Sequence, residues 1–225
     1  MDLGLTGKVA LVTGGSDGIG KAAANSMAAE GAKMVICARR AEVLENAADE
    51  IRRATDGDVL AVPTDVGQPG QLGKLFDTII ESYGRIDILV NNAGTSAAGY
   101  FEDVTDEVWQ TDLDVKLFAA IRCSRLALPH MKAQGGGRII NVTNLGGKAP
   151  GPRSVPTSVS RAAGIALTKA MSKDYARDNI LVNAIGPAYI NTDMSEGLRE
   201  NPRLNKMVVD QTPLGRLGQP EEVAG

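Results

Sequence analysis

The sequence predicts an α/β fold, a doubly wound parallel sheet in three layers with helices on both faces. Three observations point to it. Six short runs rich in β-branched residues recur along the chain, stretches with helical spacing of apolar residues separate them, and a glycine cluster follows the first run. Strict alternation of strand and helix requires right-handed crossovers, and these lay the strands parallel.

Each element can be justified in turn. KVALVTG from Lys8 is nearly all apolar, as a strand buried on both faces must be. TGGSDGIGKAAANSMA follows, with Gly14, Gly18 and Gly20 leading into a first helix. MVICA from Met34 is the second run and ends in Ala38, Arg39 and Arg40. Leu44, Ala48 and Ile51 mark one face of the next helix, and VLAVPTD from Val59 is the third run. Leu72, Leu75, Phe76 and Ile79 then repeat the helical spacing. IDILVNNAG from Ile86, RIINVTN from Arg138 and ILVNAIGP from Ile180 complete the set. No linker rich in Pro, Gly or Ser divides the chain, so residues 1–225 read as one domain, long enough to bury a sizeable core.

Composition excludes several classes of function. A net charge of −3 argues against partners such as nucleic acid or an anionic membrane, which need a cationic field. No apolar run approaches the ~20 residues that span a bilayer, and the N-terminus lacks the pattern of a signal peptide. The two cysteines, Cys37 and Cys123, suit small buried hydrophobes in a reduced cytoplasmic protein. A single histidine, His130, makes a zinc site improbable.

Glycines at the end of a first strand let the backbone turn tightly and approach a pyrophosphate, whose charge the helix N-terminus meets. Gly14, Gly18 and Gly20 have Gly-x3-Gly-x-Gly spacing rather than G-x-G-x-x-G. With NNAG at Asn91 to Gly94, Asp65 after the third run, LPHM, RIINVTN and VNAIGPAYINTDM, the chain resembles the short-chain dehydrogenase/reductase family, of the 3-oxoacyl-carrier-protein-reductase-like type. The resemblance spans essentially the whole chain and implies a Rossmann fold. It implies cofactor contacts at Gly14, Ser16, Asp17, Gly18, Ile19 and Gly20 in the glycine loop, and at Asp65 and Val66 beside the adenine. It also implies them at Asn92, Ala93 and Gly94, and at Ile190 and Thr192 beside the nicotinamide.

NADP(H) is favoured over NAD(H). An acid at the end of the second strand would bind a ribose 2′-hydroxyl and repel a 2′-phosphate, but Ala38 stands there and Arg39 follows. Asp17, where relatives that prefer NADP often carry a base, opposes that preference.

The resemblance breaks at the catalytic positions. Family members use a Ser after strand five, a Tyr and a Lys four apart on the next helix, and an Asn on the preceding helix. Aligned on NVTN, TSVSRAAG and LPHM, these positions hold Asn144, Thr157, Arg161 and Lys116. An aliphatic hydroxyl is a far weaker acid than a phenol, and Arg161 stays protonated and cannot act as a base. Residues i and i+4 share a helix face, so Thr157 and Arg161 are expected to point together toward the nicotinamide end. Asn144 can donate to a carbonyl oxygen; Lys116 is either a desolvated acid/base or a solvated helix lysine. Tyr100 and Tyr189 are phenols that could supply the missing acid, or loop aromatics that pack.

In the loop GGKAPGPRSVP, Lys148 and Arg153 hint at an acidic or carrier-bound acyl substrate. PLGRLGQPEEVAG resembles the segment that leads into a further helix and a final strand, and the family's homo-oligomer, dimer or tetramer, depends on that part. The expected function is an NADP(H)-dependent oxidoreductase acting on a small carbonyl, alcohol or acyl substrate through a non-standard site. A cofactor-binding sensor or partner subunit without catalysis, and a lyase-type reaction in the same pocket, are the alternatives.

Overall fold

A computed structural model of the chain describes residues 2–225. Its centre is a parallel sheet of six strands in the order β3-β2-β1-β4-β5-β6. These are β1 Val9–Thr13, β2 Lys33–Ala38, β3 Val59–Pro63, β4 Ile88–Asn91, β5 Gly137–Val142 and β6 Ile180–Ile185. Every predicted run forms one of them.

Helices α1 (Gly18–Ala29) and α2 (Ala41–Thr55) cover one face of the sheet, where Ala24, Ala28, Leu44, Ala48 and Ile51 pack on Ala10, Val12, Met34 and Ile36. Helices α3 (Pro69–Tyr83), α5 (Ala119–Ala133) and α6 (Thr157–Asp174) cover the other, through Leu72, Leu75, Phe76, Ile79, Cys123, Met131 and Met171. All the apolar positions predicted for α2 and α3 are buried. Fully burying one of the leucines, isoleucines or the phenylalanine among them contributes about 1.5–3 kcal/mol.

Burial of the strands differs from expectation at the edges. β1 is buried at all five positions, whereas β6 buries only Ile180 and Val182 and leaves Leu181 and Ile185 exposed, and β3 is only half-buried along most of its length. Apolar runs alone did not separate central from edge strands, because both carry β-branched residues. His130 is half-buried in the last turn of α5, in keeping with a residue near a helix end.

Between β4 and α5 the chain forms α4 (Asp106–Leu113), which continues through a π-helical turn, Asp114–Phe118, directly into α5. After β6 come three shorter helices, α7 (Glu196–Arg199), α8 (Pro202–Gln211) and α9 (Glu221–Ala224). The strand order reverses between β1 and β4, and in open α/β sheets ligands sit beyond the carboxyl ends at that switch point.

Candidate functional site

The switch point is held together by backbone contacts. Gly14 and Gly18 both have positive φ, which glycine adopts without steric cost. The amides of Gly14 and Gly15 donate to the Cys37 carbonyl at the end of β2. From the end of β4, the Asn92 amide nitrogen donates to the carbonyls of Thr13 and Gly14, each at 3.0 Å, while the backbone amides of Asn92 and Ala93 donate to Thr13 Oγ1 at 3.0 Å. Gly20 lies underneath this crossing. A Cβ there would stand 2.2 Å from the Gly14 oxygen and 2.4 Å from Asn92 Nδ2, so the position admits no side chain.

The crossing opens onto a cavity of about 730 Å³, from Arg39 and Arg40 past the glycine loop to Asn144 and Arg161. Of the fourteen residues expected to touch the cofactor, all but Gly20 line it. Gly20 acts behind the wall, by letting α1 approach the loop. At one end Arg39 and Arg40 are exposed beside the start of α2. Thr64, Asp65 and Val66 line the next stretch, where Asp65 accepts the Gly67 amide at 2.9 Å. Thr192 packs on Gly18 and caps the turn Asp193–Ser195, and Ile190 is bridged to Gly218, which fixes the segment opposite α1. Burial pushes the Cys37 thiol up to about 12, so this cavity-lining sulfur stays protonated and is no nucleophile.

The residues fit a dinucleotide. A glycine loop with no room for Cβ atoms, an α1 whose first turn carries no acid, and two arginines at one end match its pyrophosphate and phosphates.

The inner end is built from side chains. Asn144 Oδ1 accepts the Gly147 amide at 3.0 Å and so caps a short turn after β5. Arg161 Nη1 donates to the Val142 carbonyl at 2.7 Å, its Nη2 presses on Gly94, and its buried Nε has no partner. Lys116, in the π-helical turn, is 6% exposed and pairs with Asp112 of α4, which is 2% exposed. Lys116 Nζ also donates to Thr157 Oγ1 at 2.8 Å. Ser160 Oγ donates to the other Asp112 oxygen at 2.5 Å, and Thr157 Oγ1 donates to Asp112 Oδ1 at 3.2 Å. Four polar side chains from α4, the π turn and α6 thus close on one another.

Burial holds Lys116 below the usual lysine range, against the pull of Asp112 and assisted by the nearby Arg161 charge. Burial likewise lowers Arg161, and Asp112 offsets it only in part. The solvated reading of Lys116 is overturned: no water reaches its side chain.

The four positions singled out for chemistry therefore divide into two pairs. Asn144 and Arg161 line the cavity; Thr157 and Lys116 do not, although they touch one another. The expectation that Thr157 and Arg161 both face the cavity is corrected, because Thr157 Oγ1 is turned to Lys116, Asp112 and the Ala97 amide. Tyr189 lines the cavity and is 46% exposed; Tyr100 does not line it and lies under the Arg153 guanidinium, 4.5 Å from the ring centre. Lys148 and Arg153 are also off the cavity wall, which removes them as the reason for an acidic substrate.

Sequence reasoning missed Thr13, Asp112 and Ser160. The spacing Asp112-x3-Lys116 was a usable signal for an ion pair along one helix, whereas nothing local announces Ser160. Among the described residues no group of three or more His, Cys, Asp or Glu gathers as a metal site would require, and no helix is long and apolar enough to cross a membrane.

Comparison with known proteins decides the family. The model of the short-chain dehydrogenase family matches residues 8–203. The chain belongs to the short-chain dehydrogenases. As such it falls among NAD(P)-dependent oxidoreductases. It is 37% identical to a 3-oxoacyl-[acyl-carrier-protein] reductase of Synechocystis over 98% of this chain and 87% of the relative. It is 35% identical to the corresponding reductase of Thermotoga maritima, over 98% and 88%. Among solved structures, L-sorbose reductase from Gluconobacter frateurii, complexed with NADPH and L-sorbose, superposes with a TM-score of 0.94 at 35% identity, covering 100% of this chain and 89% of that one. Actinorhodin polyketide ketoreductase with NADPH gives 0.92 at 32% identity, over 96% and 87%. In this short-chain dehydrogenase one cavity runs along the glycine elbow and ends at Asn144 and Arg161.

Proposed function

We propose that this short-chain dehydrogenase is an NADP(H)-dependent carbonyl reductase or alcohol dehydrogenase whose reacting oxygen is held by Asn144. The observation that carries this reading is the single cavity that joins the arginines after β2 to Asn144 and Arg161 beyond β5, across the glycine elbow. Relatives that reduce oxoacyl groups and neighbours solved with NADPH support it.

A bound nicotinamide supplies or takes up the hydride. The chain's own residues do the rest. Arg39 and Arg40 attract a 2′-phosphate, and a guanidinium meets it with charge-assisted hydrogen bonds. Asn92, Thr13 and Gly20 hold the loop that receives the pyrophosphate. Asn144 presents an N–H donor where negative charge develops on the substrate oxygen, and Arg161 lines the same end of the cavity. Proton transfer falls to Tyr189, the phenol on the cavity wall, or to water. Lys116 and Thr157 serve from behind, by fixing α6 and hence Arg161.

Lys116 and Thr157 being turned away from the cavity favours a second reading, a cofactor-binding protein without turnover. One experiment separates the two. The protein is loaded with NADPH, binding is confirmed by fluorescence, and a panel of ketones, oxo acids and 3-oxoacyl thioesters is followed for loss of reduced-nicotinamide absorbance in a single turnover. Transfer to any member supports the reductase, and binding without transfer supports the second reading. Arg39→Ala is expected to lower the preference for NADPH over NADH by about 10–100-fold, the equivalent of one charge-assisted contact; an unchanged ratio would remove Arg39 from that role.

A further inference from the structure

Charges at the inner end of the cavity do not balance. Asp112 is the one carboxylate in the cluster, and Lys116, Ser160 and Thr157 already engage it. Arg161 makes no ion pair among the described residues. Its one hydrogen bond ends on the Val142 carbonyl, and its Nε is shut from solvent without a partner. The cluster therefore carries one cation more than it has anions, and that cation is on the cavity wall.

A buried charge without a partner is disfavoured, and an incoming anion relieves it. A guanidinium is suited to a carboxylate, which accepts two of its N–H bonds in parallel. Gly94 gives the guanidinium its place: a Cβ there would lie 2.5 Å from Arg161 Nη2. A neutral ketone or a sugar leaves the excess charge as it was; an acid cancels it.

We propose that Arg161 clamps a carboxylate, so that the substrate is a small oxo or hydroxy acid with its carboxylate a few bonds from the reacting carbon. The reaction named here rests on the reductase reading above, while the clamp itself requires only the cavity and its unpaired cation.

The test uses matched pairs on the full chain: acetoacetate against acetoacetamide, and levulinate against methyl levulinate, with NADPH. Wild type is expected to favour the acid by about 30-fold or more in kcat/KM, the scale of pairing a buried charge. Arg161→Met should abolish that preference and Arg161→Lys restore part of it, with NADPH affinity, read by fluorescence, changed no more than about threefold. Equal use of acid and neutral members, or a variant that loses NADPH while keeping the preference, overturns the clamp and assigns Arg161 to the cofactor. If no member is reduced, the reductase reading falls, and calorimetry of the same compounds decides the clamp alone. Acids that bind wild type but not Arg161→Met uphold it, and acids that bind neither protein refute it. Circular dichroism of each variant shows that the fold is kept.

Discussion

The middle of the cavity and its inner end are built from different materials. At the elbow between β1 and β4 the working atoms are backbone: amides and carbonyls of Thr13, Gly14, Asn92 and Ala93, held at a distance that Gly20 alone permits. At the inner end they are side chains: Asn144 and Arg161 on the cavity wall and, behind them, Lys116 and Asp112 buried against two hydroxyls. A site made of backbone tolerates little change, because each substitution moves the chain itself. A site made of side chains can be rewritten residue by residue while the fold stands.

If that contrast holds, the largest effect should come from breaking the buried ion pair. Lys116→Met leaves Asp112 buried without its cation and is expected to cost about 3–5 kcal/mol of stability, read by urea denaturation. Adding Asp112→Leu should recover most of the loss; if the double variant is no better than the single one, the two side chains are not a unit. Next in size, Gly20→Ala forces a Cβ into the Gly14 carbonyl. A loss of about 1–3 kcal/mol with strongly weakened NADPH binding is expected from overpacking of this kind. Wild-type binding by this variant would mean that the elbow is softer than its contacts say. The smallest effect belongs to Thr157→Ala, which removes one partner of Lys116 and is expected to cost about 1 kcal/mol while turnover survives. A collapse of the rate at undiminished stability would put Thr157 back in the chemistry.

The same contrast explains what the sequence disclosed. The six strands were legible because a strand buried on both faces must be apolar throughout, and the elbow because only glycine fits there. Even so, apolar runs do not distinguish β3 and β6, which form the two edges, from the central strands. Lys116 stayed ambiguous because a lysine on a helix is solvated by default. Its burial depends on Asp112 one turn away and on Thr157, 41 positions along the chain. Ser160 reaches Asp112 across 48 positions, a pairing no local pattern encodes. Loop cations such as Lys148 and Arg153 stand out in the sequence yet lie off the cavity, while Arg161, which lines its inner end, shows in the sequence only as the residue at the family's lysine position.

The π-helical turn at Asp114–Phe118 is an α-helix holding one residue more than its turn needs. Each residue of an α-helix advances the next by about 100°, so the surplus one swings everything after it by that much. Asp112 before the bulge and Lys116 within it look toward α6, while Cys123, Ala127 and Met131 after it enter the apolar core. The bulge works as a gear offset inside one unbroken rod: without it, the ionic stripe and the oily stripe would compete for a single side of the helix, and deleting one residue there would turn the 119–133 stripe toward solvent.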